Sequence, residues 1–189
     1  MTISLDPSST ALVLIDLQHG ITALDLAPHP AAAVVANCAR LADAYRAQGA
    51  AIVYVRVALG EMAEHKADHV RPRPASLPSN ACEIVPEAGM QPGDALVTKR
   101  QWGAFYATEL DQILRRRGVK TVVMAGIATN IGVESTARAA FDQGYDLVFA
   151  EDAMSTFSAE MQEFAVTRIF PMMGHVRSTD ALLAALPAR

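Results

Sequence analysis

Three places in this sequence combine a reactive residue type with a position from which it can act. Asp16 closes the apolar run ALVLID, Lys99 closes ALVTK, and the small-residue turn GIATNIG (Gly126–Gly132) leaves the run TVVMAG and opens a helical stretch. A carboxylate donates or accepts a proton, and an ammonium balances negative charge. The first backbone N–H groups of a helix receive an anion or a developing oxyanion. Singly, each signal is weak: Asp16 reads equally as a turn residue and Lys99 as a solvated charge. Together they describe a crevice for acid–base work on a small molecule. Hydroxyls lie close by at Thr129, Ser135 and Thr136. They read as turn or helix-capping groups, because no adjacent base is identifiable.

Such residues act together only if the elements carrying them converge. The strand candidates are Ala11–Asp16, Ala51–Val57, Ala95–Lys99, Thr121–Gly126, Asp146–Glu151 and Gly174–Ser178. The longer ones are unbroken Val/Ile/Leu runs, which places cover on both faces, as in a parallel sheet. Helical stretches are predicted near 31–48, 105–117, 131–143, 159–170 and 179–186. Gly49, Gly118 and Gly144 stand where helix C-caps are expected, and Ser155–Glu160 and Ser178–Asp180 supply N-cap chemistry. Strand–helix alternation predicts an α/β domain, doubly wound, with right-handed crossovers and spanning 1–189 as one unit. Ligands of such sheets bind beyond the carboxyl ends of the strands, where strand order reverses.

Residues 58–94 break the rhythm, with five of the ten prolines and two of the five histidines. A connection this long and irregular reads as a cover over the sheet or a subunit contact. His65 and His69 are spaced to share a helix face, but a third metal ligand is not evident, so no metal is expected. Arg56, Arg71, Arg73 and Arg100 are candidate carboxylate binders without a supporting motif. Trp102, Phe105 and Tyr106 read first as core and second as the wall of a pocket.

Composition narrows the classes. The chain has 189 residues, 51% hydrophobic and 19% charged, with a formal net charge of −4. That is a globular composition with no basic footprint for nucleic acid. The one dense basic run, Arg115–Arg117, precedes Gly118, where cations oppose the negative end of a helix dipole. Cys38 and Cys82 match neither a disulfide framework nor a zinc motif. No apolar run approaches the roughly 18 residues of a membrane span, and no signal-like leader opens the sequence. The expectation is a soluble cytoplasmic protein without a nucleic-acid or membrane partner.

The segments ALVLIDLQ, VTKRQWGAFYATEL and GIATNIGVESTARAAFDQGYDLVFAEDA, in this order from Ala11 to Ser178, resemble the isochorismatase-like hydrolase family, also called the cysteine hydrolase family. The resemblance implies a three-layer α/β/α, Rossmann-like fold with a six-stranded parallel sheet, commonly in a homo-oligomer. It implies a hydrolase acting on a small-molecule substrate with no cofactor. Most members use an Asp, a Lys and a Cys; Asp16 and Lys99 match the first two, and the Cys position falls on Gly132. The resemblance also places Gln18, Trp102, Ile127, Ala128, Thr129, Asn130 and Ile131 at the substrate, with a cis peptide at Ile127–Ala128. The Asp-x-His pair by which nicotinamidases hold a metal is missing from VRVALGE.

Isochorismatases proper carry Gly at this position and cleave a vinyl ether by acid catalysis, releasing pyruvate. Their turn has Tyr followed by Ala-His, where this chain has Ala128, Thr129 and Asn130. Three readings follow: a hydrolase of a small organic acid with Asp16 as general acid/base, a lapsed enzyme kept as a ligand-binding or assembly module, and an amidase with another nucleophile.

Overall fold

A computed structural model describes residues 3–69 and 76–187. Its centre is a sheet of six parallel strands, β1 (Thr10–Ile15), β2 (Ala51–Val57), β3 (Ala95–Lys99), β4 (Thr121–Ile127), β5 (Asp146–Ser155) and β6 (Gly174–Arg177). The spatial order is β3-β2-β1-β4-β5-β6. The chain therefore winds outward one way from β1 and then the other way from β4, so the switch point lies between β1 and β4. Every residue of β1 is buried, as its continuous apolar run requires of a strand covered on both faces.

Helices α1 (His19–Thr22), α2 (Ala31–Ala47), α3 (Leu110–Arg116), α4 (Glu134–Asp142), α5 (Ala159–Phe164) and α6 (Thr179–Ala184) complete the layers. Alternate residues of the strands feed two cores. Leu12, Leu14, Ile52 and Tyr54 pack with α2 and α6, whereas Val13, Ile15, Val55 and Val97 pack with α3 and α4. Gly49, Gly118 and Gly144 all take the left-handed conformation at helix ends, and Ser158 and Ser178 cap α5 and α6. Among the described residues no helix is long and apolar enough to cross a membrane.

Several expectations need correction. The stretch 105–117 is helical only from Leu110, because residues 100–109 form a loop braced by Gln101, whose side chain donates to the carbonyls of Gly103 and Tyr106. The stretch 131–143 is α-helical only from Glu134, after a wide π turn, Thr129–Val133, and α5 runs into a second one, Ala165–Ile169. β5 extends four residues further than the sequence run, through a bulge that shifts its register against β4 between Met124 and Gly126. His65 and His69 share no helix, since residues 62–67 lack regular structure. Of the aromatic trio only Phe105 is core; Trp102 and Tyr106 are exposed.

The irregular segment is a cover in part. Its residues 81–85 lie antiparallel along Leu17–Gly20, immediately after Asp16. Val85 donates to Leu17, His19 to Glu83, and Gly20 to Ala81. Arg71 and Arg73 fall outside the described residues.

Candidate active site

Asp16 follows the last residue of β1 and has a left-handed backbone, φ 53°. Few residue types accept that conformation, and aspartate is one of them. Its N–H still donates to the Val55 carbonyl at 2.8 Å, so the reversal begins within the sheet's own hydrogen bonding. The side chain leaves the strand's in–out alternation and lies over the sheet end. There its Oδ2 sits 2.9 Å from Nζ of Lys99, the last residue of β3. Lys99 is 1% exposed and Asp16 6%. The ammonium also donates to the Trp102 carbonyl at 2.6 Å.

Asp16 Oδ1 is buried and has no hydrogen-bond partner. Leaving such an acceptor unpaired costs about 1–3 kcal/mol or more, and it is an open position for a donor on a ligand. The sequence poses a contest between burial, which favours the neutral acid, and Lys99, which favours the carboxylate. Burial wins: the pKa is pushed up to about 6 against the pull of the ammonium.

The third component reaches the pair through a close backbone approach. Gly126 has φ 113°, and a Cβ there would collide with the Ile15 carbonyl; glycine is what lets β4 come this near to β1. The Ile127–Ala128 peptide is cis. Beyond it the π turn opens, with the N–H groups of Ile131 and Val133 both donating to the Ala128 carbonyl at 3.1 Å. Gly132 is thereby carried against the ion pair. A Cβ on Gly132 would lie 3.0 Å from Lys99 Nζ, 3.0 Å from Ile15 Cγ2 and 3.3 Å from Asp16 Oδ2. The Gly132 carbonyl accepts the Thr136 hydroxyl at 2.6 Å, and that hydroxyl accepts the Ala104 N–H at 3.1 Å. Thr136 thus ties α4 to the loop whose Trp102 carbonyl holds Lys99.

The remaining expected site residues divide. Ala128, Asn130 and Ile131 surround Gly132 in the turn, and Ile131 packs on the α2-side core. Ile127 is fully buried. Thr129 is fully buried too, its hydroxyl donating to Gln162 Oε1. Asn130 Oδ1 accepts the Thr156 hydroxyl. Gln18 lies two residues past Asp16 with its amide engaged: Nε2 donates to the carbonyls of Val57 and Ala81, and Oε1 accepts the Val57 N–H. That clamp fixes the end of β2 and the covering segment. Trp102 joins the site by its carbonyl, while its ring is 58% exposed.

Arg100 pairs with Glu61, and Arg56 donates to Thr98. Cys38 is in the α2-side core, hydrogen-bonded to the Ala153 carbonyl, and burial raises its thiol pKa. Among the described residues no group of three or more His, Cys, Asp and Glu is placed to hold a metal ion.

The chain that carries this arrangement is similar to known proteins. The isochorismatase domain matches this chain over residues 10–181. The chain belongs to the isochorismatase family. It is similar to the isochorismatase family protein YwoC of Bacillus subtilis, 47% identical over 96% of each chain. The structure of an isochorismatase family protein from Burkholderia thailandensis superposes with a TM-score of 0.91 at 44% identity over 98% of each chain. A more distant relative is the ureidoacrylate amidohydrolase RutB of Rhizobium rhizogenes, 32% identical over 96% of this chain and 85% of that protein. The six-stranded parallel sheet is thus the family's.

Sequence reasoning missed two members of this site. Gln162 lies on a short helix amid charged residues and reads as a solvent-facing amide; it is 4% exposed. Thr156 lies past the apolar run of β5 and reads as a cap; it is fully buried and bonds Asn130. Neither carries a local signal, because each is buried by a segment distant in sequence.

Proposed function

We propose that this isochorismatase-family chain is a hydrolase of a small organic acid or related metabolite, working by proton transfer without a cysteine nucleophile. The observation that carries the reading is Gly132. The position facing both members of the buried ion pair has no side chain, and the Cβ of any other residue would begin within contact of them. Cys38 is remote from this role, held in the opposite core layer with its thiol disfavoured as thiolate. Asp16, with a pKa near 6, holds a substantial fraction of both protonation states close to neutral pH, as a general acid/base needs.

In this reading Asp16 transfers the proton and Lys99 balances charge on the carboxylate and on an acidic substrate. The turn at Asn130–Gly132 accommodates the ligand where a side chain would otherwise project. With a vinyl ether, Asp16 protonates the methylene carbon, water adds to the resulting oxocarbenium ion and gives back a proton, and the hemiketal collapses to a ketone and an alcohol. The likeness to RutB makes small amides the other class to try.

The test is a hydrolase screen containing isochorismate and small amides, with pyruvate and ammonia read separately, on the wild type and Asp16→Asn. Pyruvate release that disappears in Asp16→Asn, in a variant that still folds, is the expected result. Ammonia release with an acyl-enzyme visible by mass spectrometry would overturn it. So would saturable binding without turnover across the whole panel.

A further inference from the structure

A side chain on α5 reaches the first residue of the turn. Gln162 is 4% exposed, and its amide is engaged at both ends. Nε2 donates to the carbonyls of Glu151 and Met154, at 3.1 and 3.4 Å. Oε1 accepts the hydroxyl of Thr129, itself fully buried. Phe149 pairs with Met124 and Met154 with Gly126, so β5 bulges between them; the Glu151 carbonyl lies within that bulge and the Met154 carbonyl at its end. Thr129 is the first residue of the π turn that holds Gly132 beside Asp16 and Lys99.

We infer that Gln162 is a positioning residue for the candidate active site: through Thr129 it fixes the turn that seats Gly132 against Asp16 and Lys99. A π turn is a wide, weakly self-supporting piece of helix. At its opening, Ile131 and Val133 both draw on the Ala128 carbonyl. A buried side-chain bond from Thr129 to an amide already anchored on β5 supplies the missing rigidity. The geometry of the ion pair is then set from two sides, by Lys99 on β3 and by the bulge of β5 acting through Gln162. This arrangement is independent of which bond the site cleaves, so its test stands apart from the proposed activity.

The test uses Thr129→Val, which keeps the shape and removes the hydroxyl, Thr129→Ser, which restores it, and Gln162→Met. Two signals are read by NMR: hydrogen exchange of the Ile131 and Val133 amides against that of Val13 in β1, and the carboxyl titration of Asp16, whose facing charged group is Lys99. In Thr129→Val and Gln162→Met the turn amides should exchange at least tenfold faster relative to Val13. The Asp16 midpoint should fall by at least half a pH unit as water reaches the carboxyl. Thr129→Ser should return both to the wild-type values, and Thr129→Val with Gln162→Met should be no worse than the worse single variant.

A merely structural bond would lower the melting temperature and leave the relative exchange and the Asp16 midpoint unchanged; that result would overturn the inference. Should Thr129→Val and Gln162→Met fail to fold, the wild-type exchange decides. Turn amides protected as strongly as β1 support the inference, and turn amides exchanging like a frayed loop refute it.

Discussion

Two regions off the same half of the sheet differ in kind. One is a groove of about 470 Å³ beside β2 and β3, with Arg56, Ile84, Pro86, Met90 and Leu96 in its lining. The other is the buried cluster at the strand ends, where Asp16 and Lys99 meet Gly132. The groove is roomy, but two of the three charged side chains in its lining are engaged. Arg56 donates to Thr98, and Asp94 is held by Arg46 at 2.7 Å and by the Gln91 N–H. In the buried cluster two charged groups are almost wholly out of water, a carboxyl oxygen lacks a partner, and the carboxyl pKa is displaced. Volume measures what fits; desolvated, incompletely paired charge measures what can react. On that ground we assign the proposed chemistry to the ion pair rather than to the groove.

The contrast breaks most directly by mutation. Asp16→Asn should reduce turnover of a substrate found in the screen by about 10²–10⁴-fold, the usual worth of a general acid/base. Arg56→Gln in the groove should leave kcat/KM within about threefold, its guanidinium being outside the reacting centre. Equal losses would mean that the groove belongs to the site.

A second measurement sharpens the electrostatic half. Asp16 binds its proton more tightly folded than unfolded, so its contribution to stability is fullest below about pH 3.8 and declines as pH rises to about 6. Chemical denaturation across that interval should show the wild type losing on the order of 3 kcal/mol relative to Asp16→Asn. A flat difference would mean that the carboxyl is not desolvated as described.

Gly132→Ala adds one methyl at 3.0 Å from Lys99 Nζ and Ile15 Cγ2. The expected cost is about 1–3 kcal/mol of stability by denaturation, because Lys99 and Ile15 must give way to the added methyl. No loss would show that these neighbours shift without cost. The smallest effect is expected of Cys82→Ser, in the covering segment: kcat/KM within about twofold, since a thiol nucleophile is not invoked. A large loss would instead favour the amidase reading.

Much of the frame was legible beforehand. The six apolar runs became the six strands, and Gly49, Gly118 and Gly144 ended helices, because both signals are local: continuous β-branched runs and left-handed glycine caps. Asp16, Lys99 and the Gly126–Gly132 turn were identifiable because strand ends converge in a parallel sheet. Residues 105–109 carry a helical pattern yet lie in the loop, since its bracing comes from Gln101 and from Thr108 rather than from periodicity. Gln162 and Thr156 stayed hidden for the reason that hides most buried polar residues: their partners lie on other elements.

The sequence by itself determined the strand–helix alternation, the family, and the absence of a side chain at residue 132, all properties of residue type and order. Tertiary structure alone decided the rest. It set Asp16 in a left-handed turn 2.9 Å from Lys99, orphaned its second oxygen, and raised its pKa. The physical reason is that a pKa depends on how much water and which charges surround a group. Those surroundings come from β1, β3 and the turn after β4, segments brought together only when the sheet closes.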